Sequence, residues 1–358
     1  MKPIQIVCLT TLLIGMHAGR AARALPPLFS ENFDSLPLNR PVDEEWPFSN
    51  AFTHDPPRDW TRFVNPRVAG LSVTEWRGWS FANKDFWTDI EVSGGGGRQL
   101  FDLGKGTIAV ADPDEWDYSE DPSPFGFYST LLETPEIDLT PAGNRPLKLI
   151  FDSSWRGGFG GAGNTNQTAV LTMHTDVGPV ELFRWESAPS SMNFKEDALN
   201  ERILIDLREW LPVGATEASF EFETSKAGGD DGWWGFDNMS VNQLSTILGD
   251  MNINDVLDLE DFAAFALGLR STSAYRALYF GEFPVIRGST DSIFDFDDIP
   301  WFLDTMEQGG VLPSAAGAAL LRAQLGVPEP SAMLLTIIGM ANLWAAFSFC
   351  RMRRRLLK

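Results

Sequence analysis

Between residues 105 and 225, short apolar runs alternate with clusters of turn residues. The stretches KGTIAVAD (105–112), PLKLIFDSSW (146–155), QTAVLTMHTD (167–176), PVELFRWES (179–187), ERILIDL (201–207) and ASFEFETS (218–225) are each alternating or continuously apolar. Such runs mark strands, and DPDEWDYSEDPSP and RGGFGGAGNTN between them read as loops. No helical period longer than two turns interrupts residues 29–242. The pattern predicts a mainly β fold, an antiparallel β-sandwich of jelly-roll type over residues 25–244, long enough to bury a core without cross-links.

From Gly249 the period changes. GDMNINDVLDLEDF leads into LEDFAAFALGL, with Phe262, Phe265, Ala266 and Leu269 at helical spacing. A second segment, FDFDDIPWFLDTM, follows 37 residues later and aligns in phase, Leu257 to Phe262 on Phe294 to Ile299. This is an internal duplication, predicting a small helical pair over 245–308. The small-residue stretch 309–326 reads as a linker.

The ends differ from the body. An early lysine, an apolar run from Ile4 to Met16 and the triplet Ala22-Arg23-Ala24 have the layout of a secretory signal peptide (1–24), with cleavage expected after Ala24. At the other end, about twenty uncharged, mostly apolar residues from Ser331 to Cys350 are long enough for a transmembrane helix. Arg351, Arg353, Arg354 and Arg355 mark its cytoplasmic side. With Pro328, Glu329 and Pro330 before the span, residues 327–358 resemble the PEP-CTERM sorting signal of exopolysaccharide-producing bacteria. That resemblance implies a membrane protease of exosortase type as processing partner, transient inner-membrane anchoring, and a final place at the cell surface or in the extracellular matrix.

Charge and cysteine content sharpen the picture. The chain carries 28 Lys and Arg against 49 Asp and Glu. With the eight bases and one acid of the two ends set aside, the body keeps 20 bases and 48 acids. Such a surface repels nucleic acid and attracts divalent cations, so a nucleic-acid partner is excluded. The only cysteines, Cys8 and Cys350, lie in the apolar ends, leaving the body without disulfide or thiolate metal site.

Calcium is the staple that remains. The first loop offers Asp250, Asn252, Asn254, the carbonyl of Val256, Asp258 and Asp261, the oxygen-rich pattern that a hard dication prefers. Position six, where such loops take glycine, is Asp255, a residue that tolerates positive φ at modest cost. In the same frame the second loop has Arg287 at the first ligand position, leaving Asp291, Asp295 and Asp298 as a weak set. The alternative for the first loop is an acidic helix N-terminus. A duplicated loop–helix unit with Asp at position twelve resembles the type I dockerin module, an EF-hand-like calcium domain. That resemblance implies a cohesin-like partner in polysaccharide-degrading assemblies, although the partner-selecting side chains of that family have no match here.

The sandwich opens with FSENFDSLP and closes with DDGWWGFDNMSVNQL. These strands resemble those of jelly-roll carbohydrate-binding and MAM-like modules, many of which hold a structural calcium between adjacent terminal strands. The resemblance implies Glu31, Asp34 and Asp237 as ligands; alternatively Asp34 and Asp237 only cap turns. Eleven of the thirteen tryptophans fall in this region. Most belong to a core, but Trp76, Trp79 and Trp87, in a Gly- and Asn-rich stretch, and Trp116, in a loop, are candidate platforms for sugar rings.

Catalytic motifs are absent from the sequence: of His17, His54 and His174 none has metalloprotease spacing, and there is no nucleophile elbow or phosphate loop. No catalytic residue is assigned. Glycoside hydrolysis needs only two carboxylates, and no motif selects a pair. Three readings stand: a non-catalytic exported protein that binds polysaccharide and calcium, a secreted glycan-active hydrolase on the same sandwich, and a purely structural matrix protein.

Overall fold

A computed structural model describes residues 25–326 apart from 71, 91–95, 118–126, 159–165, 228–231 and 280–293. The cleavage residue Ala24, the sorting residues Pro328, Glu329, Pro330, Arg353, Arg354 and Arg355, and the expected membrane span lie outside the described residues. Among the described residues, no helix is long and apolar enough to cross a membrane. Two compact units are present, divided between Thr246 and Ile247.

The first unit is an antiparallel β-sandwich. Its strands are β1 (Phe29–Glu31), β2 (Phe52–Thr53), β3 (Thr61–Val64), β4 (Ser80–Asn83), β5 (Thr107–Ala111), β6 (Phe127–Glu133), β7 (Ile137–Asp138), β8 (Leu147–Arg156), β9 (Gln167–Thr175), β10 (Gly178–Glu186), β11 (Ala198–Asp206), β12 (Glu217–Ala227) and β13 (Trp233–Gln243). One sheet has the order β11-β8-β13-β5-β4-β2, with β1 also paired to β13. The other has the order β10-β9-β12-β6-β3, with β7 on β12. The chain passes repeatedly from one sheet to the other, so strands distant in sequence meet.

Alternation on β12 shows why these residues fold this way. Phe220, Phe222 and Thr224 point inward while Glu221 and Glu223 face solvent. Phe222 stacks on Phe236 at 4.2 Å and meets Phe151 edge-on at 5.5 Å. Each such ring removed from water contributes about 1.5–3 kcal/mol. On β8 both faces are buried; three short helices, α1 (Pro66–Ala69), α2 (Lys84–Asp89) and α3 (Pro113–Asp117), lie between strands, α1 against β6 and α2 against β4. The loop expected at 112–124 therefore begins with a helix.

The second unit contains α4 (Glu260–Arg270), α5 (Thr272–Leu278), α6 (Ile299–Gln308) and α7 (Ser314–Leu325). Phe265 of α4 stacks on Phe302 of α6 at 4.0 Å, with Met251, Tyr275 and Met306 in the same core. The stretch expected as a linker is instead α7, and its buried Leu321 belongs to this core. Its small residues permit close packing: a Cβ on Gly317 would stand 2.9 Å from Leu303 and 3.1 Å from Phe262.

Candidate functional site

The loop before α4 folds around its own acids. Asp250 accepts the N–H groups of Asn254 (3.1 Å) and Asp255 (2.8 Å). Asp261 accepts those of Met251 (2.7 Å), Asn252 (3.2 Å) and Asp258 (2.8 Å). Tyr275 closes the loop from α5 by donating its hydroxyl to the Met251 carbonyl at 2.6 Å. Asp255 sits at φ 62° and Ile253 at φ 57°, both left-handed, so position six does make the turn that favours glycine.

Asp250 and Asp261 are fully buried. Burial, reinforced by Asp250, pushes Asp261 up to about 7. The Asn252 side-chain oxygen is buried without a hydrogen-bond partner. Two buried carboxylates and an orphaned amide oxygen in one loop fit a hard cation. Asp258 is spent partly on the Glu260 N–H, at 2.7 Å, and the side-chain oxygen of Asn254 on that of Val256, also at 2.7 Å. Among the described residues, no three carboxylate, imidazole or thiol groups form a cluster able to hold a metal, here or in the sandwich. The loop's donor set therefore depends on amide and carbonyl oxygens.

In the second loop Asp291 lies outside the described residues. Asp295 and Asp298 form a capping box: Asp295 accepts the Asp297 N–H at 2.8 Å, and Asp298 accepts the Asp295 N–H at 2.9 Å. That arrangement starts a helix without a metal.

In the sandwich, β1 lies beside β13 with Glu31 opposite Met239. Glu31 accepts the N–H groups of Asn32 and Phe33. Asp34 accepts the Thr107 N–H at 2.9 Å, and Asp237 that of Lys105 at 2.9 Å. Burial pushes Asp237 up to about 7, with Asp34 and Asp152 adding to the effect. The structure thus brings Asp34 and Asp237 near one another and uses both to tie down the segment before β5.

The four candidate sugar-stacking tryptophans are corrected. Trp76, Trp79 and Trp87 are fully buried and Trp116 is 3% exposed. The polar edges of three are satisfied inside: Trp79 donates to the Phe222 carbonyl (2.9 Å), Trp87 to Asp112 (2.7 Å), and Trp76 to Glu44 (3.2 Å). A ring without exposed face offers no platform. Trp87 instead walls a buried ionic cluster in which Arg98 lies 3.0 Å from Asp112 and 2.7 Å from Glu115. The Arg98 guanidinium also lies 5.4 and 5.3 Å from the Trp87 and Trp233 ring centres.

Exposed aromatic rings lie elsewhere, and one of them borders a cleft with half-buried Trp46. Phe48, 58% exposed, stands edge-on to Trp46 at 5.4 Å, and Trp46 leans on buried Phe86 at 5.4 Å. The two outer rings line an open cleft of about 390 Å³ with Asn50, Asn83, Asp85, Thr88 and Asp89. Asn83 caps α2 with its oxygen, accepting from Asp85 and Phe86. The sequence signal is EEWPFSN, two aromatics around a proline in a polar loop.

A second groove, about 510 Å³, crosses the outer face of the sheet containing β12. Glu133 of β6 is directly opposite Glu221 of β12, and His174 lies 3.5 Å from Glu221. Burial raises the Glu221 pKa, Glu133 and Glu223 raise it further, and His174 opposes them.

No protein-family model matches the sequence, and no curated protein matches it either. Solved structures give distant likenesses. One is the K1 cleaved adhesin domain of Lys-gingipain from Porphyromonas gingivalis W83, at 14% identity over 60% of this chain and 96% of that one, TM-score 0.31. Another is TmCBM61 in complex with beta-1,4-galactotriose, at 10% identity over 52% and 89%, TM-score 0.27. A third is the family 11 carbohydrate-binding module of cellulosomal cellulase Lic26A-Cel5E of Clostridium thermocellum, at 14% identity over 53% and 92%, TM-score 0.24. At these values none of the three carries an inference about this chain.

Proposed function

We propose that this chain is an exported, non-catalytic polysaccharide-binding protein whose helical unit is folded around calcium. The observation that carries the reading is the cleft at Phe48: an exposed ring beside amide and carboxylate side chains. A sugar presents an apolar C–H face and a rim of hydroxyls, and that surface supplies a partner for each. The acidic body suits an extracellular matrix of glycan, and a body without cysteine relies on packing and on the cation for rigidity.

Calcium belongs to the first loop. Asp250, Asn252 and Asp261 would hold it, with Asn254, Asp258 and the Val256 carbonyl available to complete the set. Bound there, the ion would neutralise two buried carboxylates and so stabilise the loop against α4. The capped Asp295 and Asp298 leave the second loop as a structural echo. Docking to a cohesin-like partner, trimming by an exosortase-type protease and delivery to the cell surface complete the proposal, on the motifs described above.

The test is a glycan panel on the full chain with calcium and with chelator. Retention on at least one polysaccharide is expected; no binding to any polysaccharide with calcium present would leave the purely structural reading. A hydrolase is favoured by one observation, the opposed Glu133 and Glu221. Directly opposite strand residues have Cβ atoms about 4.5–5.5 Å apart, and paired acid catalysis needs the two carboxyl groups at the ends of those side chains about 5–9.5 Å apart. Reducing-sugar release abolished by Glu221→Gln would establish that reading instead.

A further inference from the structure

Trp46 lines two depressions, not one. Besides the cleft shared with Phe48, it borders a second of about 520 Å³ with Arg40, Pro41, Glu44, Glu45 and Pro47. Trp46 is therefore common to two adjacent open depressions, each with polar side chains along its lining.

The segment carrying that ring is fastened from below. The buried Glu75 carboxylate accepts the successive backbone N–H groups of Val42, Asp43 (2.9 Å) and Glu44 (3.3 Å) through one oxygen. Asp43 accepts the Thr74 N–H at 2.8 Å, and Glu44 accepts the Trp76 indole N–H at 3.2 Å. Behind Trp46, Phe86 stacks on Trp76 at 5.8 Å, so the surface ring continues an aromatic ladder into the core. A platform held this way loses little freedom when a ligand stacks on it, which favours affinity.

Charge narrows the ligand. Asp85 and Asp89 line one depression and Glu44 and Glu45 the other. Among the described residues lining either, Arg40 is the only cation. Carboxylates accept hydroxyl hydrogen bonds well and repel uronate or sulfate groups.

Resting on the polysaccharide-binding reading above, we infer that Trp46 and Phe48 form the centre of a track that takes a linear, uncharged glycan chain across both depressions. Glu75 is a positioning residue for that track.

The experiment is calorimetric titration of the full chain, with calcium, against neutral cello-, xylo-, manno- and galacto-oligosaccharides of increasing length and against polygalacturonate and heparin. Affinity for one neutral series is expected to rise from the monosaccharide through the short oligomers, and the polyanions to show no binding. Phe48→Ala, at an exposed position, is expected to weaken the best oligosaccharide by about tenfold or more, the loss typical of a central aromatic contact, with an unchanged melting temperature. Asn50→Ala, on the cleft wall and also exposed, guards against a folding artefact. Neutral-glycan binding untouched by Phe48→Ala and Asn50→Ala would overturn the track while leaving the polysaccharide-binding reading in place. Binding to polyanions, or equal affinity for monomer and oligomer, would also overturn it. No binding of any glycan by the wild-type chain would remove both.

Discussion

Arg98 gives the sharpest test of how the sandwich is held beneath its surface site. Its side chain is fully buried, with carboxylate oxygens of Asp112 at 3.0 Å, Glu115 at 2.7 Å and Asp114 at 3.6 Å. Arg98→Met keeps the length and removes the charge, stranding two buried carboxylates and two indole faces. Breaking a buried ion pair from one side costs about 3–5 kcal/mol, because the remaining charge is left uncompensated. In a domain of this size each kcal/mol shifts the melting temperature by about 2–4 °C, so a fall of roughly 6–20 °C is expected. Arg184→Met, which breaks only the surface pair with Glu181, is worth about 1 kcal/mol or less. Glu115 supplies a second readout. Burial already pushes it up to about 7, so at pH 5 it is largely neutral and less is stranded. Differential scanning calorimetry should therefore show a smaller Arg98→Met deficit at pH 5 than at pH 8. A variant melting within about 2 °C of wild type, or a deficit independent of pH, would refute the buried-cluster reasoning.

The remaining predictions concern calcium, pH and one glycine. Calorimetric titration of the full chain should show one calcium site, abolished by Asp250→Ala; no uptake by wild type would count against the loop. His54 is held down to about 4, chiefly by burial and secondly by Arg62. Its folded pKa lies below the ordinary 6.5, so its contribution is full above about pH 6.5 and is lost as the pH falls through about 4, at most about 3 kcal/mol. Melting temperatures from pH 7 to pH 4 should fall less steeply in His54→Gln than in wild type; parallel curves would contradict this. Gly106→Ala should destabilise the sandwich by about 1–3 kcal/mol, since φ is +58° and a Cβ would lie 2.0 Å from Asp34. If urea unfolding shows no loss, the Asp34 tie is not as close as described.

The longer strands are legible because each carries consecutive inward apolar side chains, Leu149 and Phe151 on β8, Leu171 and Met173 on β9, Phe220 and Phe222 on β12; all three appear where the sequence runs place them. β6 is harder to read because the middle of its inward row, Tyr128, Thr130 and Leu132, is a threonine. Thr130 earns its place by hydrogen bonds, donating to the Phe63 carbonyl at 2.8 Å and accepting from the Trp79 N–H at 3.1 Å. The β2 and β3 strands are two and four residues long, too short for a period to show. α7 reads as a linker in sequence because alanine and glycine carry little hydrophobic contrast, while the packing of Gly317 against Phe262 depends on that smallness. Loop sequence does not reveal burial: Trp76, Trp79 and Trp87 lie among glycines and asparagines yet face inward. Exposed Phe48 and half-buried Trp46, flanked by acids and prolines, line the open cleft instead.

The most direct measurement is a crystal structure of the full chain with a bound neutral oligosaccharide from the series it binds best. Sugar rings stacked at Trp46 and Phe48, with hydroxyls reaching Asn50 or Asp85 on one side and Glu45 or Arg40 on the other, are the expected result. Sugar lying instead in the groove between Glu133 and Glu221, with the Trp46 surface empty, would contradict it.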